Sequence, residues 1–185
     1  MKSIEIVFFQ PISFLLYIGK RFRNLETLKV GFLGKDIGNK DSKYFDGLHK
    51  MNLTMFRKLT CFKLHCNWIY PPYPLNLNTM LTILNGCQNT LTKFELECYR
   101  FSDVKKIIDF ICSKNMPLKY ISFKLVHFIN NKDLMKLVKL KCCGERLIII
   151  KRCWPVTRLG IVAALVYINQ NNLKIRIKYN TLYPR

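Results

Sequence analysis

The residue types that act as nucleophiles and general bases are present in this sequence, but their spacing does not assemble a catalytic site. The three histidines, His49, His65 and His127, lie in separate parts of the chain. His65 and Cys66 are adjacent, and adjacent side chains on a strand point to opposite faces, which prevents a Cys–His pair. Paired carboxylates, a glycine-rich phosphate loop and a G-x-S-x-G elbow are absent from the sequence. We therefore predict no catalytic residues, no cofactor and no enzymatic activity.

The cysteines are numerous enough to bind a metal, but their spacing argues against it. None forms a C-x-x-C pair, and zinc modules depend on closely spaced ligands. Most occupy apolar positions of predicted strands or helices, where a cysteine behaves as a small buried hydrophobe in a reducing compartment. We predict no metal site and a cytoplasmic or nuclear location. The eight are Cys61, Cys66, Cys87, Cys98, Cys112, Cys142, Cys143 and Cys153.

The formal charge of +20, from 31 Lys and Arg against 11 Asp and Glu, predicts an acidic partner. Nucleic acid, an anionic membrane and an acidic protein surface all satisfy that description. Lysine supplies 22 of the 31 basic residues, and asparagine and isoleucine are also abundant, so AT-rich coding bias is a competing explanation of the charge. Because half of the residues are hydrophobic, a disordered tail is excluded.

Two apolar stretches have the composition of targeting or membrane segments without the required flanks or length. Residues Ile6–Gly19 loosely resemble a signal peptide, but Glu5 interrupts the start, Pro11 breaks the run and Arg21 lies where a cleavage site would have small residues. Gly160–Ile168 has nine residues, too few to cross a bilayer. We predict no membrane partner.

One short pattern recurs along the chain: an apolar residue, two variable residues, an apolar residue, one variable residue and a final apolar residue. Copies begin at Met1, Leu25, Leu59, Leu91 and Leu118. Their intervals are 24, 34, 32 and 27 residues. Leucine-rich repeats are about 20–29 residues long, so two intervals contain insertions, which we assign to Asp36–Tyr44 and Tyr70–Leu77. Two weaker copies follow. In Leu147–Arg152 the arginine breaks the last apolar position, so the register is left open by one residue, and in Leu173–Ile177 it is left open by two or three residues.

Polar caps and helically spaced apolar residues predict helices between the strands. Ser102 or Asp103 caps Val104–Ser113, and Asn130 or Asn131 caps Lys132–Lys141, with the stem of Lys141 buried. Helices are also predicted to start at Asn78 or Thr79, to run over Val156–Asn169 behind Pro155, and to occupy Ile12–Lys20. The predicted buried faces are Met80, Leu81, Leu84 and Cys87; Val104, Ile107, Ile108 and Ile111; and Leu134, Leu137 and Val138.

Strand and helix alternating about every 30 residues predicts one α/β domain over residues 1–185, a leucine-rich-repeat solenoid of about six or seven repeats. Its parallel sheet would line the concave face and its helices the convex face. A doubly wound α/β sheet is the alternative. The alternative is disfavoured because strands buried on both faces are continuously apolar, whereas Lys29, Lys63 and Glu95 alternate with apolar residues here.

The segment Leu91–Cys98, followed by a polar-capped helix, resembles the degenerate repeats of F-box leucine-rich-repeat proteins, and residues 25–30 and 118–123 are similar. The resemblance extends from Met1 to about Ile177. It implies repeats that select a protein substrate, with an F-box that docks onto a ubiquitin ligase adaptor. No F-box-like module precedes the first repeat, so the array is predicted to be truncated at its N-terminus, and the adaptor is a partner only if an F-box lies upstream.

The polar positions of the strands form the predicted binding face, which also includes Thr27 and Cys61. Tyr120 is the strongest predicted anchor because aromatic side chains contribute most to interface energy. The predicted partner-binding residues are Lys29, Lys63, His65, Lys93, Glu95, Glu97, Tyr120, Ser122 and Lys124. Two other functions remain open. Nucleic-acid binding is favoured by the charge but opposed by scarce arginine and the absence of an RNP-like aromatic motif, and the chain could also be a non-functional truncated paralogue.

Overall fold

A seven-stranded, all-parallel sheet runs through the whole described chain, and its strands lie side by side in chain order. The computed structural model describes residues 1–8, 18–33, 56–67, 77–98, 103–141 and 144–180. The strands are β1 (Ser3–Phe8), β2 (Thr27–Leu33), β3 (Cys61–Asn67), β4 (Lys93–Cys98), β5 (Tyr120–Lys124), β6 (Arg146–Lys151) and β7 (Ile175–Asn180). A doubly wound sheet reverses its strand order at a switch point, which this sheet does not do.

Four helices alternate with the later strands, and each packs against the next one along the chain. They are α1 (Leu77–Gly86), α2 (Val104–Ser113), α3 (Asn131–Lys139) and α4 (Arg158–Gln170). Residues 18–21, before β2, are also helical. Alternate side chains of the strands and the inner sides of the helices form one continuous apolar cluster. The protein is therefore an α/β protein, as the sequence predicts.

Neighbouring strands pair in the same register from one strand–helix unit to the next. The second apolar position of each motif aligns across the sheet, as Ile4, Leu28, Phe62, Phe94, Ile121, Ile148 and Ile177. A shared acceptor precedes most strands: the amides of Thr60 and Cys61 both donate to Glu26 O, and those of Thr92 and Lys93 both donate to Thr60 O. The first motif leucines, Leu25, Leu59, Leu91 and Leu118, are all fully buried.

The predicted register of the weak copy at Leu147 is wrong by two residues. Leu147 pairs with Tyr120, and Ile148 takes the position of Ile121, so Arg152 lies beyond the strand. The three consecutive isoleucines of β6 carry no polar–apolar alternation, and the hydrophobic pattern is what specifies register. The copy near Leu173 is a strand, as predicted, and its apolar residues Ile175 and Ile177 share one face.

The predicted helices are present at the predicted positions, but some of them begin or end at other residues than predicted. Val104–Ser113 is a helix with the four predicted residues buried. Asn130 caps α3 through a capping box with Asp133, but the helix ends at Lys139, so Lys141 is exposed and its stem is not buried. The last helix begins at Arg158 rather than Val156, because Thr157 caps it by accepting a hydrogen bond from the amide of Gly160.

Some predictions fall partly or wholly outside the described residues. Both predicted insertions lie outside them except for Leu77, which begins α1, and the helix predicted at Ile12–Lys20 is described only from residue 18 onward. Of the predicted face of α1, Met80, Leu84 and Cys87 are buried and Leu81 is half-buried.

Aromatic rings stack through the middle of the core, one from each of three successive strands. The ring centroids of Phe62 and Phe94 are 6.1 Å apart, and those of Phe94 and Phe123 are 6.0 Å apart with the rings edge to face. All three side chains are fully buried. Aromatic pairs at this separation add to the free energy gained from burial alone. The stack therefore links the packing of β3, β4 and β5.

One arginine lies inside this core. Arg146 is 1% exposed and begins β6 on its buried face. Its Nε donates to Leu118 O at 3.0 Å, and its Nη1 donates to Leu137 O at 3.0 Å and to Leu140 O at 2.7 Å. The last two carbonyls belong to the end of α3, where a cation is favoured by the helix dipole. The guanidinium therefore joins the end of a helix to the chain that precedes β5.

Replacing the central ring of the stack should destabilise the whole sheet. We expect Phe94→Ala to lower the free energy of unfolding by about 3–5 kcal/mol, because it removes a buried ring that has a neighbour on each side. Denaturant unfolding measures the change. Lys105→Ala on the exposed side of α2 is the control, with an expected change within about 0.5 kcal/mol. A loss below about 1 kcal/mol for Phe94→Ala would contradict the packing described.

The buried arginine should be as important as a core aromatic residue. We expect Arg146→Ala to cost about 3–5 kcal/mol, because a cavity remains and three carbonyls each lose a hydrogen bond. Arg146→Met keeps most of the volume and should lose less, so the difference separates packing from hydrogen bonding. Arg176→Ala removes an exposed arginine 3.8 Å from Glu145 and serves as the control, at about 0–1 kcal/mol. Equal effects for the Arg146→Ala and Arg176→Ala variants would disprove the assigned role.

Candidate functional site

The side of the sheet that faces away from the apolar cluster presents rows of mainly polar side chains, here called the polar face. Three residues of each central strand contribute to it, because side chains alternate along a strand. The polar face comprises Thr27, Cys61, Lys93, Tyr120, Leu147 and Arg176 in one row; Glu5, Lys29, Lys63, Glu95, Ser122, Ile149 and Lys178 in the next; and His65, Glu97, Lys124 and Lys151 in the third. All nine predicted binding residues lie on this one surface.

Carboxylates on β1 and β4 neutralise the cations of the neighbouring strands. Lys29 Nζ lies 3.0 Å from Glu5 Oε2. Each of the two glutamates of β4 is shared by two basic residues. Glu95 lies 3.0 Å from Lys93 and 3.9 Å from Lys63, and Glu97 lies 3.2 Å from His65 and 3.9 Å from Lys124. The polar face from β1 to β5 is therefore a network of cross-strand ion pairs with little net charge.

Two strand positions that were predicted to be exposed to solvent are buried, so the prediction of a fully solvated face is wrong at these two residues. Glu95 is 8% exposed and Ser122 is 0% exposed. Strands lie about 4.8 Å apart, so long side chains on both neighbouring strands cover a central residue. The hydroxyl of Ser122 has no hydrogen-bond partner among the described residues. These two residues therefore support the surface from beneath instead of presenting themselves to a partner.

Tyr120 is positioned by a cation from the adjacent strand. The ammonium of Lys93 lies 4.6 Å from the centroid of the Tyr120 ring while also donating a hydrogen bond to Glu95. That hydrogen bond raises the pKa of Lys93 above its ordinary value. On the other side, the register places half-exposed Leu147 beside Tyr120. The ring therefore stands between a held cation and an apolar side chain.

The last two strands give the polar face a different character. Leu147 and Ile149 are half-exposed there, and Lys151, Arg176 and Lys178 are exposed. Arg176 lies 3.8 Å from Glu145, with both side chains largely exposed. Lys151 and Lys178 have no carboxylate within ion-pair distance in the part of the chain that the structure describes. This end combines an apolar strip with uncompensated positive charge, and its residues are not among the predicted binding residues.

Within the described residues, the histidines and cysteines do not come together to form a catalytic site. His65 is paired with Glu97, the ring of His127 lies 4.2 Å from that of Trp154, and His49 falls outside the described residues. Burial raises the pKa of the Cys61 thiol, which lies on the polar face, and raises the pKa of Cys87 to about 12 and that of Cys153 to about 11. A thiol with a raised pKa is protonated and a poor nucleophile at neutral pH.

Two further absences concern the described ranges only. Within them, no group of three or more His, Cys, Asp or Glu residues could hold a metal ion. Within the same ranges, every helix is too short or too polar to span a membrane. A concavity of about 590 Å³ lies away from the polar face, where strands begin and helices end, and its lining includes Arg57, Asn85, Gln88 and Lys114. This lining has no carboxylate or histidine that could act as a general base.

Comparison with protein-family models, with curated proteins and with solved structures finds no match to this chain.

The ion pair between Lys93 and Glu95, beside Tyr120, gives a testable pH dependence. We expect Glu95→Gln to return the pKa of Lys93 toward its ordinary value of 10.5, because the hydrogen bond that raises it is weakened. A lysine pKa raised by folding stabilises the folded state below pH 10.5, and this stabilisation is lost as the pH rises through the raised value. NMR titration of the lysine Nζ signals measures the shift. Glu5→Gln is the control, and an unmoved Lys93 pKa in Glu95→Gln would refute the assignment.

Proposed function

We propose that this chain is a leucine-rich-repeat solenoid without enzymatic activity that binds a protein partner on its polar face. The proposal of a solenoid is supported by chain-ordered parallel strands, by one repeated register and by the four buried motif leucines. Units that cannot bury their apolar side alone must stack, and the stack presents an extended surface that suits a protein partner. The polar face is then the concave face of the array.

The observation that carries the proposal is the patch made by Tyr120, Leu147, Ile149, Lys151 and Lys178. An aromatic ring and two half-exposed aliphatic side chains form its centre, and cations without carboxylate partners among the described residues form its rim. Interfaces commonly have an aromatic or aliphatic anchor enclosed by polar groups. The rim fits acidic residues, so the proposed partner segment carries Asp or Glu beside an apolar side chain.

The resemblance to F-box leucine-rich-repeat proteins supports a finer proposal. In that family the repeats select the substrate of a ubiquitin ligase, and we propose the same role for the polar face. A cytoplasmic or nuclear location fits this role. The described cysteines whose side chains are placed, Cys61, Cys87, Cys98, Cys112 and Cys153, are all free thiols, as is usual in reducing compartments.

A displayed peptide library tests the proposed binding function. The immobilised protein should select peptides that combine Asp or Glu with an aromatic or aliphatic residue. Tyr120→Ala should weaken a selected peptide by about 2 kcal/mol, as expected for an interface anchor. The double variant Lys151→Glu/Lys178→Glu should abolish binding, because it places like charges against the acidic residues. The matched variant Lys105→Glu/Lys114→Glu, on α2 and at its C-cap, should bind like the wild type.

The same variants separate the proposal from its nucleic-acid rival. Anisotropy of a labelled random single-stranded oligonucleotide at low salt measures that binding. The proposal fails if the oligonucleotide binds, the Lys151→Glu/Lys178→Glu variant loses that binding and no acidic peptide is selected. It also fails if selected peptides bind Tyr120→Ala and the charge-reversed variant as well as they bind the wild type.

A further inference from the structure

The helix α4 is apolar on two sides, although only one of them faces the core. Gly160, Ile161, Ala164 and Ile168 are buried. A second set of residues is exposed, with Leu159 at 80%, Val162 at 49% and Val166 at 47%, and Ala163 among them. The spacing of i, i+3, i+4 and i+7 places these four on one stripe. Surface helices normally carry polar residues opposite the core, so this stripe requires an explanation.

The neighbours of α4 show where this stripe points. Towards α3, the side-chain Nδ2 of Asn131 donates to Thr157 Oγ1 at 2.9 Å, and a Cβ on Gly160 would meet Asn131 Oδ1 at 2.0 Å. Further along the same side, the ammonium of Lys139 lies 5.2 Å from the centroid of the Tyr167 ring. The core and α3 therefore occupy two sides of α4, and the stripe lies on the outer surface, away from the polar face of the sheet.

Basic residues stand beside the stripe. Lys132, Lys136 and Lys139 are exposed on α3, and Arg158 is exposed in the first turn of α4. Lys136 is paired with Asp109. Within the described residues, Lys132 and Arg158 have no carboxylate at ion-pair distance. An apolar stripe flanked by free cations is complementary to an apolar ridge flanked by acidic residues.

From this geometry we propose that the outer surface of α4, with the adjacent edge of α3, binds an amphipathic helix of another protein that carries acidic residues beside its apolar ridge. The i, i+3, i+4, i+7 spacing matches the ridges and grooves by which helices pack, and small Ala163 at the centre permits close approach. This site is separate from the polar face and does not depend on the function proposed for it.

Two other occupants fit less well. A second copy of this chain carries a charge of +20 and would bring its own cations against Lys132 and Arg158. A lipid surface is held in proportion to the apolar area that enters it. The stripe spans two helical turns, about 10 Å at 1.5 Å per residue, which is short for an interfacial anchor.

Two designed helical peptides test this proposal. Both carry leucine at i, i+3, i+4 and i+7, one with glutamate and the other with lysine at the flanking positions, and fluorescence anisotropy measures their binding. We expect the glutamate peptide to bind at least about tenfold tighter, a difference of about 1.4 kcal/mol. The triple variant Leu159→Gln/Val162→Gln/Val166→Gln should lose binding while its thermal unfolding midpoint stays unchanged, because these side chains are exposed.

Matched variants test separately the role of the cations beside the stripe and the location of the binding site. Lys132→Gln/Arg158→Gln should weaken binding of the glutamate peptide several-fold, while Lys105→Gln/Lys114→Gln, on α2 and at its C-cap, removes the same charge and should have no effect. Tyr120→Ala should also bind the peptide normally, which separates this site from the polar face. Equal affinity for the two peptides, or binding that survives in the triple variant, would overturn the proposal.

The competing occupants give distinct outcomes. Stripe-dependent binding to vesicles containing phosphatidylserine, with no peptide binding, would replace the helix with a membrane. Stripe-dependent dimerisation in analytical ultracentrifugation, again without peptide binding, would replace it with a second copy. Either result would overturn the assignment of a partner helix.

Discussion

Each strand of this protein satisfies its backbone groups through the strands of the adjacent units, and this constraint determines most of the structure. At the start of β2, β3, β4 and β5, two successive amides donate to one carbonyl of the preceding unit, and the hydroxyls of Thr60 and Thr92 reinforce that contact at 3.1 and 3.2 Å. A slip of one residue would exchange the two faces of a strand. The repeated register therefore keeps the motif leucines inside and the charged residues of the polar face outside, in unit after unit.

The buried arginine shows how the array tolerates a departure from the pattern. Arg146 is buried at the start of β6, whereas the register aligns it with exposed Lys119 of the preceding unit, and an unpaired cation in the core would be costly. Its cost is offset because α3 ends with carbonyls that lack helical partners, and the guanidinium donates to two of them. The guanidinium thus satisfies the carbonyls at the buried end of the helix, while its Nη2 has no hydrogen-bond partner among the described residues. The local sequence of β6 is consistent with the fold only in the presence of α3.

The sequence predicts the strands that begin after Leu25, Leu59, Leu91 and Leu118, because burial imposes a spacing that survives in the residue types. The register of β6 was not predictable in this way, since three successive isoleucines fit either alignment. The start of α4 was missed because Pro155 is a local signal, whereas the cap at Thr157 is fixed by Asn131 from another unit. Similarly, Glu95 and Ser122 are buried by side chains from adjacent strands, and a single strand carries no trace of those neighbours.

The excess of lysine and the placement of charge are separate questions. Coding bias can increase the number of lysines, but it does not explain why Glu95 and Glu97, both on β4, each lie within ion-pair distance of two basic residues. Nor does it account for the change from compensated charge on β1 to β5 to uncompensated charge beside Leu147 and Ile149. A charge pattern that follows the order of the strands is a property of the folded surface. The part of the +20 charge that bears on the proposed binding is therefore the few cations beside apolar side chains, at the end of the polar face and beside the stripe of α4.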